Sequence, residues 1–295
     1  MILSYSMIFA QSNPKLSNYE FAPLTYNPAY AGANDGFIFS SVYSTQWLGF
    51  DGAPNTIFLT THGMINSKVG IGLNIVSDHI GATKESKIIG NFSYRINLNK
   101  DLILAMGVKS GLATYNIDYN MLNIENSEEI SVFSQNNNTI NFNFGTGIYL
   151  YSDNYFLGVS VPNILTSKYL DTYNETQSKT TRHYFLTTGY SYNFMSGITF
   201  QPTLLMRIAK GAPISTLINF NLNWKNKYFT SFNIDPNTSI GGYVGFKILE
   251  KHIIGYSYES SINKFTNYNN GNHAIFLKLK FDNFLNRNCS CSIFN

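Results

Sequence analysis

Polar and apolar residues alternate with a period of two along much of this 295-residue chain. Over 91–98, Phe92, Tyr94, Ile96 and Leu98 take one parity while Asn91, Ser93, Arg95 and Asn97 take the other. Over 218–225, Ile218, Phe220, Leu222 and Trp224 oppose Asn219, Asn221, Asn223 and Lys225. Residues 186–194 set Leu186, Thr188, Tyr190, Tyr192 and Phe194 against Thr187, Gly189, Ser191 and Asn193. Residues 273–282 set Ile275, Leu277, Leu279 and Phe281 against Lys278, Lys280 and Asp282. Successive side chains of a strand point to opposite faces, so each segment predicts a strand with one greasy and one wet side, which helical spacing does not explain.

Extended along the chain, the pattern predicts strands at 37–47, 55–65, 68–79, 84–98, 101–116, 137–152, 154–161, 181–195, 197–209, 213–225, 227–235, 238–249, 251–262 and 271–282. That is about 14 antiparallel strands, an even number, and most reach the roughly 9–11 residues needed to cross a bilayer at a tilt. Connections sort by parity. After each even strand stands a tight turn at Asn66-Ser67, Asn99-Lys100, Ser152-Asp153, Ser196, Asn226 or Glu250. After the odd strands come 48–54, 80–83, 117–136, 162–180, 210–212, 236–237 and 263–270, which include every long connection. Outer-membrane barrels put short turns on the periplasmic side and long loops outside, so the reading is an all-β transmembrane barrel at 37–282 with both termini periplasmic and long loops extracellular. A two-domain soluble all-β protein would alternate too, but has no reason to sort its loops.

Composition sharpens this picture. Charged residues make up 13% of the chain and aromatics 16%, with 21 Tyr and 23 Phe; an ordinary soluble domain is roughly 25% charged. The mean hydropathy of -0.11 and the lack of a long apolar run exclude a helical membrane bundle but suit a barrel, where only one face meets lipid. The Tyr and Phe residues read as lipid-facing girdles. A net charge of +3 with scattered Lys and Arg speaks against nucleic acid as a partner. Residues 1–10 end in Ala10 before Gln11 and resemble the end of a secretory signal, leaving 11–36 as an N-terminal periplasmic or plug segment and 283–295 as a periplasmic tail.

No enzyme chemistry is legible. There is no Gly-x-Ser-x-Gly, phosphate-binding glycine loop or His-Glu-x-x-His, and no cofactor is expected. His62, His79, His183, His252 and His273 are dispersed near strand ends and read as polar interfacial groups. Asp78 and His79 are adjacent on a strand and point to opposite faces, which defeats a triad. Gly70-Ile71-Gly72 lies in a strand and reads as functionless. Asp118, Glu125, Glu128 and Glu129 could offer carboxylates to Ca²⁺ but lack any recognised spacing and read as a solvated loop. Cys289 and Cys291 sit in the last seven residues, could pair or bind a metal, and cannot alone close a zinc site.

Before the first strand stands a segment too rich in proline for a membrane strand, with Tyr19, Phe21, Pro23, Tyr26, Asn27, Pro28, Tyr30 and Gly32 as its candidate plug or partner residues. Such a segment can enter the lumen or lie across the periplasmic mouth. Gln46, Trp47, Gly49 and Pro54 in the first outer loop are candidates for a rigid rim.

Tyr26-Asn27-Pro28-Ala29-Tyr30-Ala31-Gly32 resembles the opening of the PorP/SprF family of type IX secretion system membrane proteins of Bacteroidota. The resemblance continues through Gln46-Trp47-x-Gly49, Gly52-Ala53-Pro54-x-Thr56, Gly70-Ile71-Gly72, Asp78-x-Ile80-Gly81, Tyr94-Arg95-Ile96 and Gly255-Tyr256-Ser257-Tyr258, over about residues 17–282. It implies an outer-membrane protein supporting export or surface anchoring of large adhesins, often with gliding motility. It implies as partners the adhesin or its C-terminal domain, the periplasmic and motor components of the system, and the lipid bilayer. Loops 117–136 and 162–180 would hold cargo. The alternative is an outer-membrane channel for small or hydrophobic solutes, with the N-terminal segment as its plug.

Overall fold

The computed structural model describes residues 18–34, 36–118, 121, 139–165, 168–169, 178–179, 181–194, 197–262 and 270–282. The expected leader at 1–10, most of loops 117–136 and 162–180, the Ser196 turn and the Cys289–Cys291 tail lie outside these residues. Within them the strands are β1 (Phe37–Thr45), β2 (Asn55–Met64), β3 (Val69–Ile80), β4 (Thr83–Asn97), β5 (Ile103–Ile117), β6 (Thr139–Tyr151), β7 (Tyr155–Val161), β8 (Lys168–Tyr169), β9 (Ser178–Lys179), β10 (His183–Tyr190), β11 (Tyr192–Phe194), β12 (Ile198–Ala209), β13 (Ser215–Trp224), β14 (Tyr228–Asp235), β15 (Ser239–Ile248), β16 (His252–Ser261) and β17 (Asn272–Phe281).

Every neighbouring pair is antiparallel, and β1 pairs with β17 in register Phe37↔Phe281 to Thr45↔His273. Closure leaves no free edge, which a membrane strand could not tolerate in lipid. Strands β8 and β9 form a separate two-residue pairing outside the wall. The fourteen expected strands are all present, and one of them is divided. The stretch expected as a single strand over 181–195 splits into β10 and β11 at Ser191. β10 pairs with β12 up to Gly189↔Thr203, and β11 resumes at Tyr192↔Phe200. The gap lies opposite Pro202, which has no N–H to donate to a ladder. Gln201 Nε2 donates to Ser191 Oγ at 2.9 Å there.

Side chains sort as the alternation predicts. Phe92, Tyr94 and Ile96 on β4 stand outward and exposed, whereas Asn91, Ser93 and Arg95 are buried inward. On β13, Phe220, Leu222 and Trp224 are outward while Asn219 and Asn221 are buried. Outward rings also stack between strands, Phe200 on Phe220 and Phe220 on Phe232. Among the described residues no helix is long and apolar enough to cross a membrane.

The turn chemistry fits the wall. Lys225 and Asn226 carry φ of 51° each, and Leu249 and Glu250 carry 48° and 60°. Paired left-handed residues give a tight turn the twist that joins right-twisted strands without splaying them. These turns, with those between β2 and β3, β4 and β5, and β6 and β7, rim one mouth. The strand ends that lead into the longer connections rim the other.

The lumen is not an open tube. Residues 18–34 run inside it as three single 3-10 turns, Tyr19–Phe21, Pro23–Thr25 and Pro28–Tyr30. Pro23 and Pro28 each open a turn, where the fixed proline φ is already right and no N–H is needed. Asn27, held extended before Pro28, accepts the Ala29 N–H at Oδ1 over 2.9 Å. Both hydrophobic clusters lie inside the barrel and are built around this segment, one on Tyr19, Phe21, Ala22 and Tyr26, the other on Leu24 and Ala29–Ala31.

Candidate functional site: the occupied lumen

The segment touches nearly the whole circumference of the wall. At its start Glu20 Oε1 accepts from Thr203 Oγ1 at 2.6 Å, Asn221 Nδ2 at 2.7 Å and Asn219 Nδ2 at 3.3 Å. Phe21 stacks on Phe276 with ring centroids 3.8 Å apart and meets Tyr243 edge-on at 5.3 Å. Burial raises the Glu20 carboxyl above its ordinary pKa, while the three hydrogen bonds and the Lys278 ammonium pull it back down.

Further along, Lys109 Nζ donates to Thr25 O at 2.9 Å and Ser160 Oγ to Tyr26 O at 2.8 Å. Tyr26 packs edge-on against Phe185 at 5.2 Å. Asn27 Nδ2 donates to Ile148 O at 3.0 Å, and Ser93 Oγ to Ala31 O at 2.6 Å. Tyr30 lies between His62 and Tyr149, each with its ring centroid 5.4 Å away. Gly32, at φ 72°, donates its N–H to His62 Nδ1 over 3.1 Å. A carbonyl taken from water needs a donor, and three wall side chains, Lys109 on β5, Ser160 on β7 and Ser93 on β4, supply one each.

Glycines in the wall make the approach possible. A Cβ on Gly107 would stand 2.2 Å from Ala29 N, one on Gly147 2.2 Å from Asn27 Oδ1, and one on Gly70 2.1 Å from Ala31 O. All three occupy inward positions, where any larger residue would push the segment away.

Among the described residues hollows lie on either side of it. Toward the short-turn mouth a cavity of about 500 Å³ is lined by Glu20, Gln201, Asn221, Asn223, Lys225 and Lys278, among others. Toward the long-loop mouth a second, of about 60 Å³, is lined by Thr25, Lys87, Lys109, Asn143, His183 and Phe185, among others.

The predicted plug residues are therefore brought together: Tyr19, Phe21, Tyr26, Asn27, Pro28, Tyr30 and Gly32 are buried, and Pro23 is half-buried. The rim residues form a separate feature at the long-loop mouth. Gln46 N donates to Pro54 O at 2.9 Å, Trp47 N to Asn272 Oδ1 at 3.1 Å and Leu48 N to Gly271 O at 3.1 Å. Trp47 at φ 52° and Gly49 at φ 105° turn the chain there. Pro54 is buried while Trp47 is exposed.

Two expectations need correction. His62 and His183 are not interfacial: both are buried in the lumen, because their parity is inward. Gly70-Ile71-Gly72 is not idle, since Gly70 and Gly72 leave the space taken by Ala31 and Leu24. Sequence reasoning also missed Ser93, Lys109, Gly107, Gly147, Ser160 and Thr203. The signal available was glycine recurring at inward positions of β3, β5 and β6, where a wet lumen needs none.

Among the described residues no cluster of His, Cys, Asp or Glu could hold a metal ion. A family model described as type IX secretion system membrane protein PorP/SprF matches residues 8–279. No curated protein matches the sequence. Solved structures similar in fold include the CymD monoaromatic hydrocarbon channel, at 10% identity over 89% of this chain and 93% of that one, with a TM-score of 0.51. The P. putida toluene transporter TodX is 9% identical over 88% and 94%, with a TM-score of 0.49. The Acinetobacter baumannii outer membrane protein Omp33 is 9% identical over 85% and 100%, with a TM-score of 0.47. At such identity the CymD likeness speaks to the barrel fold alone.

Proposed function

The chain belongs to the PorP/SprF family of type IX secretion system membrane proteins, and from that premise we propose that it supports export and surface anchoring of large adhesins, in cells that also glide, instead of passing small solutes. In this reading the barrel sits in the outer membrane with its termini and short turns in the periplasm and its long loops outside. Loops 117–136 and 162–180 hold the emerging adhesin or its C-terminal domain. The short-turn mouth meets the periplasmic and motor components. The chain performs no catalysis and carries no cofactor.

The observation that carries this reading is that the stretch bearing the family-like motif, Tyr26 to Gly32, is the stretch that fills the lumen. A solute channel with this segment as its plug must release the segment to open a path, whereas an anchor needs no opening. An anchor is served by a rigid body whose interior is braced by its own leading segment, because each buried apolar side chain adds roughly 1.5–3 kcal/mol.

The test is to extract an affinity-tagged chain in mild detergent and identify what accompanies it by mass spectrometry. Recovery of a large adhesin or periplasmic secretion components supports the anchor. A clean barrel that carries small solutes into liposomes overturns it in favour of the channel. Deleting 162–180 is expected to leave the barrel folded and to abolish adhesin attachment; retained attachment removes that loop from the mechanism.

A further inference from the structure

The smaller hollow, toward the long-loop mouth, has a chemistry that the lumen segment does not use. Its polar lining comes from β3 to β6, β10, the stretch after β7 and the lumen segment: Asn74, Lys87, Lys109, Asn143, His183 and Asn163, with Thr25. No Asp or Glu lines it. Lys109 is 3% exposed, and among the described residues its ammonium donates one hydrogen bond, to Thr25 O. An ammonium has three donors, so two of them have no partner among the described residues, and the side chain lines the cavity. Lys87 contributes a second ammonium, paired outside the lining with Glu85 at 2.9 Å.

Three further groups point the same way. His183 at 4% exposed has an unpartnered Nδ1, Asn74 at 1% an unpartnered Nδ2, and Asn143 at 8% an unpartnered Oδ1. A half-turn of the Asn143 amide presents its NH₂ instead and breaks no protein hydrogen bond. A buried cation beside unpaired donors is costly unless an opposite charge joins it.

We propose that this cavity binds a small oxyanion, of the carboxylate or phosphate class. Lys109 Nζ, Asn74 Nδ2 and His183 Nδ1 donate to its oxygens, and Lys87 supplies a second positive charge. The volume of about 60 Å³ suits a group of a few heavy atoms. Phe58, Val76, Ile89, Pro162 and Phe185 form its apolar lining, and such walls strengthen the attraction by excluding water. Because Lys109 also holds Thr25 O, the bound anion sits directly against the lumen segment and neutralises the residue that tethers it.

The experiment is isothermal titration of the full chain, purified in detergent, with inorganic phosphate, acetate and acetamide. Saturable binding of one anion per chain is expected. Phosphate binding alone identifies a phosphate source, and acetate binding without acetamide binding identifies a carboxylate. Lys109→Met is expected to weaken binding at least tenfold, and Lys251→Met, on the opposite rim, to leave it unchanged. Should Lys109→Met fail to show the gel mobility of a folded barrel, His183→Phe keeps ring volume, removes both nitrogens and is expected to weaken binding about fivefold. No saturable binding, or binding that these lumen variants leave unaltered, overturns the proposal.

Discussion

The backbone N–H of Gly32 donates to Nδ1 of His62 across 3.1 Å inside the barrel. The ring nitrogen must therefore keep its lone pair there. His62→Leu is expected to leave that N–H buried without an acceptor, at a cost of about 1–3 kcal/mol. Urea unfolding followed by tryptophan fluorescence and by gel mobility checks this. A variant as stable as the parent would show that water replaces the imidazole at no cost.

Gly107 faces Ala29 so closely that a side chain has nowhere to go. Gly107→Val suits a strand by backbone preference, so the wall is expected to persist while the segment is displaced. Protease cleavage between residues 18 and 34 should become readily detectable, and single-channel conductance in planar bilayers should rise. Cleavage and conductance equal to the parent would mean that the segment seats without that contact.

Glu20 is the acceptor for Thr203, Asn219 and Asn221 at once. Glu20→Ala strands those donors and is expected to release the start of the segment, whereas Glu20→Gln keeps an oxygen for them and is expected to hold it. Because the docked carboxyl titrates above its ordinary value, docking is strongest below the ordinary carboxylate range and weakens as pH rises through the raised one. Protease sensitivity of the segment should thus increase with pH in the parent and become independent of pH in Glu20→Gln. The opposite slope would refute the assignment.

Phe92 stands outward on β4 and Ser93 inward against Ala31. Phe92→Arg puts a charge into lipid and is expected to cost about 2–4 kcal/mol if its depth is near the midplane. Ser93→Ala leaves the wall unchanged and removes a donor, so its effect should appear in segment release alone. Measuring both variants for unfolding and for proteolysis of residues 18–34 separates the lipid face from the lumen face. Equal effects in both assays would contradict the assignment of sides.

The outward half of the wall was legible in the chain because lipid imposes one rule on all of it. Phe92, Tyr94 and Ile96 had to be apolar whatever stood behind them, and a period of two follows from the strand itself. The parity of the connections was legible for a similar reason, since turn length is a local property. The break at Ser191 was not, because Pro202 acts from a neighbouring strand.

The inward half followed no such rule. Phe58, Phe185 and Phe276 break the polar lining, Gly70 and Gly107 interrupt it with no side chain at all, and His62 looked like a surface group. Each is explained by what lies opposite across the lumen.

The alternation, the loop parity and the proline-rich leading segment by themselves determined that this protein is a closed barrel of fourteen staves with something unsuited to a strand before it. Only the tertiary structure decided that residues 18–34 enter the lumen, which wall groups receive them, and that a basic hollow stays empty of protein beside Lys109. The physical reason is range. A strand's two faces are set by the nearest solvent, lipid or not, and are written residue by residue. A lumen is set by contacts such as Glu20 with Asn221, between parts of the chain that meet only once the ring has closed.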